Sequence, residues 1–212
     1  MNGRIGTFAV CTLLALVPAG AAEQPTGGPP AAAGVAAAPH ASSAAPATPP
    51  DAPQVLIGPA TREQVEAAAP GWVQAGVDAK PDLEAARALA TVPPGAELTV
   101  FLGTWCGDSR REVSRFWRAL DEIGASAPGG PAGGLPFTVT YVCVDEAKKE
   151  PAAAVSAIGL RYVPTFIVRR DGREVGRIVE RAPHGIEADL VALLSGKATG
   201  LVTGSERAKP SS

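Results

Sequence analysis

The stretch that decides the fold runs Leu98-Thr99-Val100-Phe101-Leu102-Gly103-Thr104-Trp105-Cys106-Gly107-Asp108-Ser109. Its first five residues are mostly apolar, the pattern of a short strand covered on both faces. After Trp105 the period changes, and Val113, Phe116, Trp117, Leu120 and Ile123 fall on one face of a long helix. A strand therefore hands over to a helix within a few residues, and Cys106 stands at the handover.

Downstream, the Gly-Pro-rich stretch 127–136 leads into a second strand over 137–144. Pro151 and Gly159 bracket a helix, as its first position and its C-cap. Residues 165–170 and 173–179 flank Asp171-Gly172, which predicts a β-hairpin around a type I′ turn. A last helix carries Ile186, Leu190, Val191 and Leu194 toward the core, and the chain after Gly196 reads as a frayed tail. The order is β-α-β-α-β-β-α, with the first strand–helix–strand unit parallel and the last pair antiparallel.

Upstream, Pro93-Pro94-Gly95 is a clear break. Before it, Thr61-Arg62-Glu63-Gln64 has the form of a capping box opening a helix that Pro70-Gly71 ends. Pro81 suits the first position of a second helix whose apolar face is Leu83, Ala86, Leu89 and Ala90.

The N-terminus has the form of an address label. Arg4 gives a short positive region, residues 5–17 an apolar one, and Ala19-Gly20-Ala21 small residues at a cleavage site. The apolar run is shorter than the roughly 20 residues of a membrane span, and Pro18 and Gly20 interrupt it. Residues 1–22 are thus expected to be a signal peptide, which removes Cys11 and sends the protein to a bacterial periplasm or the cell exterior. Residues 23–54 are Ala, Pro, Gly and Ser with few large apolar side chains. Such a segment buries too little surface to offset its ordering entropy, so a disordered tether is expected there. His40 lies in it as a bystander. The folded domain is expected over 55–196, with its core over 95–195, and a flexible tail over 197–212.

Composition excludes several classes. A net charge of -2 leaves no electrostatic footprint for nucleic acid or an anionic membrane surface. Three cysteines are too few for a disulfide scaffold and wrongly spaced for zinc, and two histidines argue against a His-rich metal cage. Phosphate-binding loops, Ser-His-Asp arrangements and haem-attachment spacing are absent. No cofactor and no metal are expected, nor stable membrane insertion, and a monomer is.

Two motifs together, Gly103-Thr104-Trp105-Cys106-Gly107-Asp108-Ser109 after the first central strand and Val163-Pro164-Thr165 opening the third, resemble the thioredoxin superfamily. The Trp-Cys-Gly-Asp-Ser form followed by Arg110-Arg111-Glu112-Val113 is similar to a bacterial, exported thioredoxin-like branch. The resemblance implies an α/β thioredoxin fold, with a central mixed β-sheet flanked by helices. It also implies a cis-proline at Pro164 beside the reactive sulfur. The backbone of Val163 would then be offered to an extended peptide, as in β-augmentation. Trp105, Gly107, Asp108, Val163, Pro164 and Thr165 are the implied substrate-binding residues, with Cys106 and Ser109 as the catalytic pair.

Physical chemistry stands beside that resemblance. A cysteine at a helix N-terminus faces unpaired backbone N–H groups and the positive end of the helix dipole. Thiolate is the attacking form of sulfur, so the position favours nucleophilic chemistry. Arg110 and Arg111 add positive potential, whereas Asp108 opposes it. Where the Cys-x-x-Cys form has its second thiol, this chain has Ser109, whose hydroxyl can hydrogen-bond Cys106 but forms no S–S bond. A mixed disulfide on Cys106 must then be resolved by a second thiol. The candidates are a cysteine of a disulfide-containing protein substrate, a small thiol such as glutathione, or Cys143. For Cys143 the stronger reading is a buried small hydrophobe, because bridging to Cys106 needs a Cα separation near about 6 Å. Thioredoxins carry a buried acid behind the site; here that position is Val100. Asp145 is expected to approach Trp105 or cap its turn, Glu180 to lie at a solvated strand end near the groove, and His184 at the surface. Two functions fit: a monothiol thiol-disulfide oxidoreductase or isomerase, and a non-catalytic thioredoxin-fold peptide-binding module. A peroxiredoxin-like peroxidase does not fit, since positions 99 and 103 are Thr and Gly.

Overall fold

The computed structural model describes residues 54–125 and 134–210. The expected signal peptide, nearly all of the expected tether, Cys11, His40 and most of the 127–136 stretch lie outside the described residues.

Six strands form one mixed sheet: β1 (Gly58–Ala60), β2 (Ala96–Leu102), β3 (Phe137–Cys143), β4 (Thr165–Arg170), β5 (Arg173–Val179) and β6 (Gly200–Val202). They lie side by side in the order β1-β3-β2-β4-β5-β6. β2 and β3 are parallel, with Leu98 opposite Val139 and Leu102 opposite Cys143. β4 runs antiparallel to β2, and β5 antiparallel to β4. Together with helix α4 (Gly107–Glu122) between β2 and β3, these directions are the thioredoxin-like arrangement.

The physical causes are local. Asp171 and Gly172 both adopt positive φ, 53° and 73°, as a type I′ turn requires, and the hairpin forms at the expected residues. Period-two alternation on β2 sends Leu98, Val100 and Leu102 to one side of the sheet and Phe101 to the other. The first set joins Val113, Phe116, Trp117 and Leu120 of α4 in the larger core, which also takes Leu190 and Leu194 of α6 (Ile186–Leu194). Phe101 joins Val142, Val144 and Ile167 in a smaller core against α5 (Ala152–Ile158).

Strand β1 forms where no strand was expected, Leu83 of the expected apolar face is exposed, and four further features differ from the expectations. The capping box at Thr61 is present and opens α1 (Arg62–Ala68), but a further helix, α2 (Gly71–Asp78), follows Pro70 directly. Helix α3 (Leu83–Leu89) is capped by Asp82, whose carboxylate accepts from the Glu84 and Ala85 amides, so Pro81 lies outside the helix. Pro151 likewise is the N-cap of α5 and not its first position, after a cis Glu150–Pro151 bond.

The fourth is the tail, which adds β6 parallel to β5 instead of fraying. Gly176 allows that pairing: a Cβ there would stand 2.6 Å from the Gly200 carbonyl oxygen and 2.7 Å from Leu193 Cδ2. Among the described residues no helix is long and apolar enough to cross a membrane.

Candidate active site

Cys106 is the N-cap of α4, with extended backbone at φ -90° and ψ 121°. The Ser109 amide donates to its Sγ at 3.4 Å. Across the cleft, Cys106 Sγ donates to the Val163 carbonyl oxygen at 3.5 Å, and the Val163–Pro164 bond is cis. The two sequence motifs therefore meet at the sulfur. Cys106 and Trp105 are half-buried, Gly107 is exposed, and Val163, Pro164 and Thr165 are buried. Thr165 Oγ1 donates to the Tyr162 carbonyl at 2.7 Å, which ties the Pro164 loop to the strand it opens.

Several side chains hold the turn before Cys106. Trp105 Nε1 donates to the Val144 carbonyl at 3.0 Å at the end of β3. Its indole lies so close to Gly103 that a Cβ on that glycine would stand 2.5 Å from Trp105 Cε2. Thr104 Oγ1 donates to the Gln54 carbonyl at 2.6 Å. Trp72 of α2, 1% exposed, donates from Nε1 to the Thr104 carbonyl at 3.2 Å.

Ser109 takes a different part from the one expected. It is fully buried, and its Oγ accepts from the Gly103 amide at 3.3 Å. Its contact with Cys106 is made by the backbone N–H, not by the hydroxyl. Cys143 is fully buried in the larger core, whereas Cys106 packs against the smaller one. Both cysteines are free, and burial pushes the Cys143 thiol up to about 11. Val100, at the position where thioredoxins place an acid, is fully buried among apolar side chains.

No family model matches the chain, and no curated protein matches it. Among solved structures, a protein of unknown function from Pseudomonas aeruginosa is 15% identical with a TM-score of 0.48, covering 67% of this chain and 95% of that one. An HIV epitope scaffold gives the same figures. Mitochondrial thioredoxin 3 from Saccharomyces cerevisiae is 15% identical with a TM-score of 0.29, over 57% of this chain and 98% of its own. Likenesses at these scores carry no inference; strand order and direction carry the fold.

Among the charged groups around the motif, Glu180 departs from expectation, while Asp145 and His184 stand as expected. Asp108 accepts from Arg111 Nη1 at 2.7 Å and from Arg207 Nη2 at 3.1 Å. Glu180 does not lie at a solvated strand end. It is buried, with positive φ, and is held by Arg207 through Nε at 2.7 Å and through Nη2, and by Ser205 Oγ at 2.6 Å. Arg207 thus ties the C-terminal segment to both the Cys106 motif and the β5 exit. Asp145 caps its own turn, accepting from the Lys149 and Glu150 amides at 2.6 and 2.7 Å, and those bonds hold its carboxyl below the usual range. His184 is exposed and approaches Asp189 at 2.9 Å. Among the described residues no group of His, Cys, Asp or Glu is arranged to hold a metal ion.

Lys148, Arg161, Tyr162, Arg207 and Trp72 were not singled out by the sequence reading, although each borders the site or braces it. Trp72 left one trace, a large aromatic directly after a helix break. The others are ordinary loop residues whose placement depends on the fold.

Proposed function

We propose that the protein is a thiol-disulfide oxidoreductase-like protein in which Cys106 is the single nucleophile. The observation that carries this reading is the position of Cys106 Sγ: at the N-terminus of α4, touched by the Ser109 N–H, half-exposed, and 3.5 Å from the Val163 carbonyl beside a cis-proline. Backbone N–H groups of a first helical turn face the sulfur there, and the Ser109 N–H already reaches it.

In the proposed step the Cys106 thiolate attacks one sulfur of a substrate disulfide. The substrate S–S bond breaks, a Cys106–substrate S–S bond forms, and the second substrate sulfur leaves as a thiolate that takes a proton from solvent. With Ser109 in place of a second thiol and Cys143 buried and protonated, resolution falls to a thiol from outside the chain. A second cysteine of the substrate, or a small thiol such as glutathione, serves. The net result is thiol transfer or disulfide isomerisation. Export, directed by residues 1–22, belongs to this proposal, since disulfide chemistry suits an oxidising compartment.

The test is incubation of the full chain with an oxidised peptide, followed by intact mass and peptide mapping. Wild type and Cys143→Ser are expected to carry the adduct on Cys106, and Cys106→Ser none at that site. Absence of any adduct on Cys106 in wild type, with the peptide bound, would leave the peptide-binding module as the reading.

A further inference from the structure

A cleft of about 330 Å³ opens at Cys106. Trp105 and Tyr162 form its aromatic walls, and Lys148, Arg161 and Arg207 its charged ones. Lys148 Nζ stands 5.4 Å from the centroid of the Trp105 ring, and Arg161 Cζ 5.8 Å from that of Tyr162. Neither cation has a carboxylate within ion-pair distance among the described residues, whereas Arg207 in the same cleft pairs with Glu180 and Asp108; Lys148 Nζ donates to the Glu146 backbone carbonyl at 2.9 Å.

Three acids nearby are committed. Glu180, the acid lining the cleft, is held by Arg207 and Ser205. Asp108 is shared between Arg111 and Arg207. Asp145, in the loop that carries Lys148, is turned to backbone amides and does not line the cleft. A chain of net charge -2 therefore presents, at its half-exposed sulfur, a cleft whose unpaired charges are positive.

Resting on the Cys106 reading above, we propose that the cleft selects a peptide segment in which the attacked cysteine is flanked by Asp or Glu side chains. Lys148 and Arg161 would each meet one carboxylate, on either side of a backbone lying along Val163. Paired charges of this kind steer encounter and set partner choice more than raw affinity. Both cations stay partly solvated, so the selectivity is modest and falls with salt.

The experiment uses the full chain carrying Cys11→Ser, which leaves Cys106 and the buried Cys143 as its thiols, and two peptides of equal length, Glu-Glu-Cys-Glu and Lys-Lys-Cys-Lys, each carrying its cysteine as a disulfide with 2-thiopyridine. Attack on the peptide sulfur forms the Cys106–peptide disulfide and expels thiopyridone, whose release gives the rate. Each rate is divided by that of 2-mercaptoethanol with the same peptide, removing the peptide's own reactivity. The Glu peptide is expected to react about tenfold faster at low salt, as a few exposed ion pairs allow, and the ratio should fall toward one at high salt. In the double variant Lys148→Glu, Arg161→Glu the ratio should invert, provided its circular dichroism matches wild type. The wild-type salt series stands without that variant. Equal normalised rates at low salt, or a faster Lys peptide, overturn the charge selection while leaving Cys106 as the nucleophile. If neither peptide reacts, the nucleophile reading falls, and anisotropy of the same peptides with Ser for Cys decides the selection: tighter binding of the Glu form sustains it, equal binding ends it.

Discussion

The sulfur of Cys106 and the carbonyl oxygen of Val163 lie 3.5 Å apart although 57 residues separate them in the chain. Antiparallel pairing of β4 with β2, which sets Thr165 opposite Phe101, makes that meeting unavoidable. The loop before β4 is delivered to the same end of the sheet at which β2 releases the chain into α4.

That arrangement makes one thiol reachable and the other not. At neutral pH an alkylating reagent is expected to label Cys106 in the native protein and to leave Cys143 unlabelled, since it is buried and its thiol is raised to about 11. Peptide mapping after brief exposure checks this. Equal labelling of the two would contradict the burial.

Ser109 is the acceptor for the Gly103 amide within a fully buried turn. Ser109→Ala removes that acceptor and is expected to cost about 1–3 kcal/mol in urea unfolding. Ser109→Cys places a thiol one helical turn from Cys106, at a separation a disulfide can span. Oxidised protein should then show an intrachain bond between positions 106 and 109, and mixed disulfides should no longer accumulate.

Gly103 has no room for a side chain. Gly103→Ala would push a methyl group into the Trp105 ring at 2.5 Å and displace the indole from the Val144 carbonyl. The expected cost is about 1–3 kcal/mol, as for overpacking elsewhere. A shifted tryptophan emission, with slower mixed-disulfide formation, would accompany it.

Glu112, on the second turn of α4, is buried, and desolvation raises its carboxyl above the usual 4.5 despite the Arg111 guanidinium at 3.0 Å. A carboxyl raised on folding binds more protons folded than unfolded. Its contribution to stability is therefore complete below the unfolded value and is lost as pH rises through the folded one. Replacing it by glutamine, Glu112→Gln, should flatten that decline above pH 4.5, read as urea midpoints across pH. An unchanged slope would show that other groups set it.

Legibility in the sequence followed the range of the causes. Helix α4, the capping box at Thr61 and the Asp171-Gly172 turn are set by neighbours within a few residues, and each stands where the periodicity placed it. Helix α2 was missed because apolar Val73 and Val77 share its exposed side with Gln74 and Asp78, which blurs the period, and because Pro70-Gly71 reads as a stop when it also serves as a start. The strand β6 was missed for another reason: the three residues Gly200, Leu201 and Val202 are too few to show a strand period, and only the groove left by Gly176 seats them.

Taken alone, the sequence determined that a cysteine stands where a strand passes into a helix, that no second thiol follows it one turn later, and that a β-hairpin follows the second motif. These are matters of adjacent residues, period and turn chemistry. Tertiary structure decided what surrounds the sulfur: Val163 across the cleft, Trp72 behind the turn, and Lys148, Arg161 and Arg207 at its rim. Those groups arrive from distant segments, and their convergence depends on strand register and on which core each face buries, which no local pattern encodes.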